Sequence, residues 1–210
     1  MSRIALVFLL LLACAPRKTL IPSLSGEEVR RRVKEKLAVF SGMEGHGKIV
    51  WKGGIRISAY GSIRYRENPF LLEGELKGFL GIVGARLKIS HDSAYVYLTR
   101  EKKYISIDTL EIVRELGKER LASIIAGKME LPEGECIAGE NGYWLLSPSL
   151  DVCVNREFLP SKLIVKTRRL TINVELRNYR KTERGYFPFS FKIEAGRERI
   201  MIDYDRVWLE

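Results

Sequence analysis

No glutamine occurs anywhere in this 210-residue chain, asparagine is sparse, and there are only two histidines and three cysteines. The shortage of amide side chains beside abundant Lys, Arg and Glu is the compositional lean of proteins from hot environments, and it speaks to habitat alone. The shortage of histidine reaches further. His46 and His91 stand in no metal-ligand spacing, and the chain has no His-Glu-x-x-His, Gly-x-Ser-x-Gly or phosphate loop, so the commonest signatures of metal, serine and nucleotide chemistry are missing. His91-Asp92-Ser93 holds the three residue types of a triad, but neighbours on one tight turn cannot form the relay that attack by serine needs. Asp203 and Asp205 share a strand face, and Arg197, Arg199 and Arg206 around them point to surface ion pairs rather than acid–base work. The chain is therefore not read as an enzyme: no catalytic residue, metal or cofactor is expected.

A membrane-spanning run is missing too. Ile4 to Leu12 is apolar, but about 20 such residues are needed to cross the hydrocarbon core, and Pro16, Arg17 and Lys18 end the run early. With Arg3 before it and Ala13 after it, the stretch reads as a cleaved signal peptide, residues 1–13. Leu11-Leu12-Ala13-Cys14 resembles the lipobox of bacterial lipoproteins, which implies that Cys14 becomes the lipid-modified first residue. Acyl chains contribute about 0.8 kcal/mol per buried methylene, so the three chains of a mature lipoprotein would hold it on a bilayer stably. Ala15, where Asp would resemble an inner-membrane retention signal, favours the outer membrane, facing the periplasm. Residues 14–24, with two prolines and no periodicity, read as a lipidated tether.

About 197 residues follow the cleavage point, enough for one domain over 25–210 with a sizeable core. The net charge of +10 at pH 7 falls to +9 without Arg3, and Lys and Arg are scattered along the chain. Such an excess is first a solvated surface. Behind a lipoprotein signal its charged partner would be anionic headgroups rather than nucleic acid.

Ser25-Gly26-Glu27-Glu28 fits a capping box, with Val29, Val33, Leu37 and Phe40 following at helical spacing, which predicts a helix over 26–40. From Gly45 the period changes to two, with Ile55, Ile57, Ala59, Ile63 and Tyr65 alternating with polar residues in one long strand. Strands at 70–77, 86–90 and 94–100 continue an antiparallel meander. Residues 108–128 return to helical spacing, and Gly117 divides them into two short helices. Asn141-Gly142 suits a type I′ hairpin, and further strands run from 150 to 208. About ten strands share one apolar face. A sheet of that length must curl or be covered, so the expected fold is mainly β: a curved antiparallel sheet or incomplete half-barrel wrapped round an N-terminal helix and a two-helix lid.

Cys136 and Cys153 would meet an oxidising compartment, which invites a disulfide. In a meander they would lie two strand spacings apart, roughly 9 to 10 Å, beyond the ~7 Å limit for bridging. A bridge and two buried thiols stay as alternatives.

The order of these parts resembles the LolA/LolB lipoprotein-carrier superfamily, and in particular a LolA-like branch of bacterial lipoproteins known as a domain of unknown function. The stretches that carry the resemblance are "GFLGIVGARLKISHDSAYVYLTREKKYIS", residues 78–106, "SIIAGK", residues 123–128, and "YFPFSFKIEAGRERIMIDYDRVWLE", residues 186–210. The resemblance implies an apolar cavity that takes the acyl chains of lipids or lipoproteins, in a monomer working with a periplasmic carrier or envelope protein. Ile57, Leu72, Leu76, Leu87, Tyr97, Phe189 and Phe191, with Leu116, Leu121 and Ile125 from the lid, would line it; the same residues could instead fill a dry core. The resemblance also implies a membrane-inserting loop, for which Phe79, Leu80, Ile82 and Val83 are the candidates, and a lid-latching arginine among Arg56, Arg64 and Arg66. The rival reading is an assembly accessory with a filled barrel, docking an envelope complex through outer-face residues such as Tyr60, Tyr95 or Trp144.

Overall fold

Ser25 opens the first helix, its hydroxyl accepting from the Glu28 amide at 3.2 Å. The computed structural model describes residues 21–54, 56–78 and 81–210; Cys14, Phe79 and Leu80 lie outside the described residues. Helix α1 (Gly26–Lys36) buries Val29 and Val33 completely, on the order of 1.5–3 kcal/mol for each side chain. Only half of the expected capping box forms: the Glu28 carboxylate turns forward to Arg31 and Arg32. The helix also ends at Lys36 rather than residue 40. Leu37 is already extended and bridges Tyr186, and the Ala38 amide donates to the Tyr186 carbonyl at 3.0 Å. Phe40 thus reaches the core from an extended segment.

The strands are β1 (Gly42–Lys52), β2 (Ile57–Arg66), β3 (Leu71–Lys77), β4 (Val83–Ser90), β5 (Ala94–Leu98) and β6 (Lys103–Ser106), then, after helices α2 (Glu111–Leu116) and α3 (Lys118–Ile125), β7 (Glu135–Gly139), β8 (Gly142–Leu146), β9 (Leu150–Asn155), β10 (Pro160–Lys166), β11 (Thr171–Thr182), β12 (Gly185–Ala195) and β13 (Glu198–Leu209). They form one antiparallel sheet of thirteen strands, not about ten, in the order β6-β5-β4-β3-β2-β1-β13-β12-β11-β10-β9-β8-β7. No helix among the described residues is long and apolar enough to cross a membrane.

That order fixes where the helices go. Two meanders, one running outward from β1 and the other from β13, join at the β1–β13 seam, where Met43 faces Leu209 and Lys52 faces Arg199. The two outermost strands, β6 and β7, are consecutive in the chain. Residues 107–134, which carry α2 and α3, therefore run from one edge of the sheet to the other. Ile112, Val113, Leu116, Leu121, Ile124 and Ile125 are buried and belong to one core cluster with the apolar residues of the sheet.

Two strands escaped the periodicity. The first stretch read as one long strand is a hairpin, and β1 was hidden because Gly45 and Gly47 occupy two of its inward positions. A Cβ on Gly45 would stand 2.6 Å from the Tyr204 ring, and one on Gly47 would stand 2.0 Å from the Asp203 carbonyl oxygen. The glycines let β13 approach and give Tyr204 its place. The other, β6, is four residues long and largely exposed, so it shows no alternation. At the β7–β8 turn Gly139 pairs with Gly142, leaving Glu140 and Asn141 as the loop. Neither has a positive φ, as a type I′ turn demands. Gly142 is required instead because a Cβ there would stand 1.9 Å from the Val154 carbonyl oxygen.

Candidate functional site

The inner face of the sheet is the first candidate. Leu72 and Leu76 on β3, Leu87 on β4, Phe189 and Phe191 on β12, Leu116 on α2, and Leu121 and Ile125 on α3 are all buried in one cluster, and Ile57 packs against it half-buried. Tyr97 does not belong with them. On β5 it is Ala94 and Val96 that face inward, so the alternation sends Tyr95 and Tyr97 to the outer face, where both rings meet Tyr104. A ring of aromatic side chains fills the centre: Phe187 contacts Phe40, Phe189, Phe191 and Tyr204. On the same face the indole Nε1 of Trp51 is buried without a protein acceptor, a state that costs roughly 1–3 kcal/mol unless a partner supplies the bond.

Polar contacts tie the helical crossing to the sheet on both sides. Leu110, at the N-cap of α2, makes no side-chain cap; the buried Glu198 carboxylate accepts from the Glu111 and Ile112 amides at 3.3 and 2.9 Å instead. Tyr204 donates to the Ile125 carbonyl at the end of α3, 3.1 Å away, and its burial holds the phenol far above the usual tyrosine range. Thr167 donates to Glu115 at 2.8 Å. On the opposite half His91 meets Glu119 at 2.6 Å, and Lys128 meets Glu67 at 2.7 Å beneath the rings of Phe40 and Tyr65. None of the three arginines expected to latch the lid reaches the helices; the arginine that does is Arg169, 4.0 Å from Glu115. Arg64 and Arg66 fall on the outer register of β2, Arg64 bonded to Glu44, and Arg56 is exposed.

Magnitudes decide what holds this cover. Exposed ion pairs contribute about 0.2–1 kcal/mol each, whereas each buried apolar side chain of α2 and α3 contributes about 1.5–3. Lifting the helices is therefore opposed mainly by exposing Leu116, Leu121, Ile125 and their neighbours, and an apolar guest that replaced those contacts would remove most of the opposition.

Recesses open at the rim. One of about 390 Å³ lies between Leu37, Val39 and Phe40 after α1, Met129 and Leu131 after α3, and Phe187 on β12, a volume within the roughly 300–1,000 Å³ typical of small-ligand sites. It leads from solvent to the central ring of Phe187. The sequence offered Phe40 and Phe187 as core residues; what it hid was the extended course of residues 37–40 that shapes the mouth. A second recess, of about 410 Å³, lies among Ile21, Pro22, Leu24, Tyr143 and Phe158, where Tyr143 donates to the Pro22 carbonyl at 3.1 Å.

Of the candidate membrane loop, Val83 begins β4 half-buried, while Ile82 is 67% exposed beside Gly81, whose φ is +74°. Ile82 thus sits at the rim of the sheet rather than in its core. This β3–β4 turn lies at the strand ends opposite those that receive Ile21 and Pro22, which sit against β8 and the β9–β10 turn, eight strands from β3 in the sheet order. Cys136 and Cys153 are both free, which corrects the disulfide alternative. Cys136 pairs with Leu145 and Cys153 with Trp144, so the two thiols stand on opposite faces of the sheet. His91, Asp92 and Ser93 form the β4–β5 turn, and Asp205 accepts from Tyr60 at 2.6 Å rather than from an arginine side chain.

No family model matches the chain, and no curated protein matches it in sequence. In three dimensions it is similar to a DUF1329 family protein from Desulfovibrio piger, with a TM-score of 0.57 and 10% identity over 88% of this chain and 92% of that one. It is also similar to a LolA superfamily protein from Nitrosomonas europaea, with a TM-score of 0.54 and 10% identity over 90% of this chain and 94% of that one. The fold is LolA-like.

Proposed function

We propose that this chain is a non-enzymatic lipoprotein that holds the acyl chains of lipids or of other lipoproteins between the inner face of its sheet and the helical crossing. The observation that carries the reading is the apolar recess leading from solvent to Phe187, bordered by helices whose attachment is mostly apolar. Supporting it is the LolA-like fold. The resemblance of Leu11 to Cys14 to a lipobox supports attachment to a membrane, and Ala15 favours the outer membrane, facing the periplasm. There it would pass lipid to or from a periplasmic carrier or envelope protein during lipoprotein transport.

The test is mass spectrometry of organic extracts from protein purified without detergent, followed by titration with a fluorescent fatty acid. Stoichiometric acyl species and saturable uptake are expected, with Met129→Trp at the mouth of the recess lowering uptake about tenfold. A clean extract together with no uptake would refute the reading. That result would favour the assembly accessory, for which the outer face offers Tyr60, Tyr104 and Trp208, each half or more exposed.

A further inference from the structure

The outer face of β1–β6 carries a groove of about 740 Å³ that acyl-chain binding does not use. Register builds its walls. Glu44, Arg64, Glu73, Lys88 and Tyr95 are successive partners across five strands. One step along, Ser62, Glu75, Arg86, Tyr97 and Tyr104 make a parallel row, and both rows line the groove. Each row alternates in sign over its charged part and ends on tyrosine. Arg64 meets Glu44 at 2.9 Å and Arg86 meets Glu75 at 3.4 Å. Tyr104 stands with ring centroids 5.2 Å from Tyr95 and 4.7 Å from Tyr97, yet is 66% exposed.

Three properties select the occupant. Carboxylates and cations balance, so neither a polyanion nor a polycation gains from the field of the groove. Paired carboxylate and guanidinium groups accept and donate side by side, which suits a ligand bearing many hydroxyls. The exposed ring of Tyr104, backed by the half-buried Tyr95 and Tyr97, offers a flat apolar face with a polar edge, the complement of a pyranose ring, whose C–H face is apolar and whose rim is hydroxylated. The spacing agrees. Equivalent positions recur at each strand, about 4.8 Å apart, close to the advance per sugar of an extended β-linked chain. A peptide laid across the strands would advance about 3.3 Å per residue and fall out of step.

We propose that this groove binds an extended, uncharged β-linked glycan lying across the strands, with Tyr104 as its stacking platform and Arg86 and Glu75 addressing its hydroxyls. Purified protein is titrated calorimetrically with chitohexaose and with cellohexaose. Saturable binding of at least one, insensitive to high salt, is expected, and Tyr104→Ala and Arg86→Ala each weaken it about tenfold or more. Lys162→Ala, on the other half of the sheet, leaves it unchanged. Both key side chains are largely exposed, so unchanged thermal unfolding certifies the variants. Failure of both sugars to bind, or binding indifferent to Tyr104 and Arg86, overturns the proposal. Tyr104-dependent capture of an envelope protein without sugar binding overturns it as well, since the groove would then be a protein interface. Fatty-acid uptake is read separately, so either proposal can fail alone.

Discussion

The two faces of the first six strands are built from alternating residues of the same segments, and they behave as different materials. Inward, Ile63, Leu72, Leu76, Leu87, Ile89 and Val96 are buried in contacts whose energy depends on shape and volume. Outward, Arg64, Glu73, Glu75, Arg86 and Lys88 stand in rows whose meaning depends on which residue faces which across the strands. Substitution should therefore be costly on the inner face and nearly silent for stability on the outer one, where binding is the sensitive readout.

The sharpest way to break that contrast is at the seam. Gly47→Val would put its side chain into the Asp203 carbonyl and Tyr204 backbone, so β1 and β13 could not pair. Loss of cooperative thermal unfolding is expected, of order 4 kcal/mol or more. Leu121→Ala, fully buried on α3, should cost about 2–5 kcal/mol in denaturant unfolding. Where in that range it falls reads how tightly the helices are packed, since the cost grows with the void left behind. A loss under about 1 kcal/mol would mean the helical crossing is not seated on the sheet.

The inner face was legible because alternation and helical spacing need no knowledge of pairing: Phe187 to Ile193 on β12 and Leu121 to Ile125 on α3 announced themselves. Tyr97 was misassigned because an aromatic residue satisfies a core pattern and an outer stacking pattern equally, and only the inward set of Ala94 and Val96 decides between them. The groove was not legible at all. Glu75 and Arg86 are separated by a turn whose length the sequence did not fix, and a slip of one residue would have sent every charge to the other face. Glu198 escaped for a related reason, since a cap supplied from a distant hairpin leaves no local signature at Leu110.

Tyr204→Phe probes the join between the seam and α3 by removing one hydrogen bond, at about 1 kcal/mol. Its pH dependence is more telling. Burial raises the folded phenol above its unfolded value, so the native state holds its proton longer and stability is full below about pH 10, declining as pH rises beyond it. Urea midpoints of the wild type should fall at alkaline pH, and the variant should fall less; parallel curves would show that Tyr204 is reached by water.

The smallest effect belongs to the outer face. Arg64 first, and then His46, hold the Glu44 carboxylate below its ordinary range by hydrogen bonding to its charged form, so its contribution is present above the unfolded value and fades as pH falls through the lowered one. As a half-exposed pair it should contribute about 0.2–1 kcal/mol. Glu44→Gln is therefore expected to shift the urea midpoint slightly at neutral pH, and by progressively less as pH falls below the ordinary carboxylate range. A cost comparable to that of Leu121→Ala would mean the outer rows hold the sheet together, and the contrast between the two faces would fail.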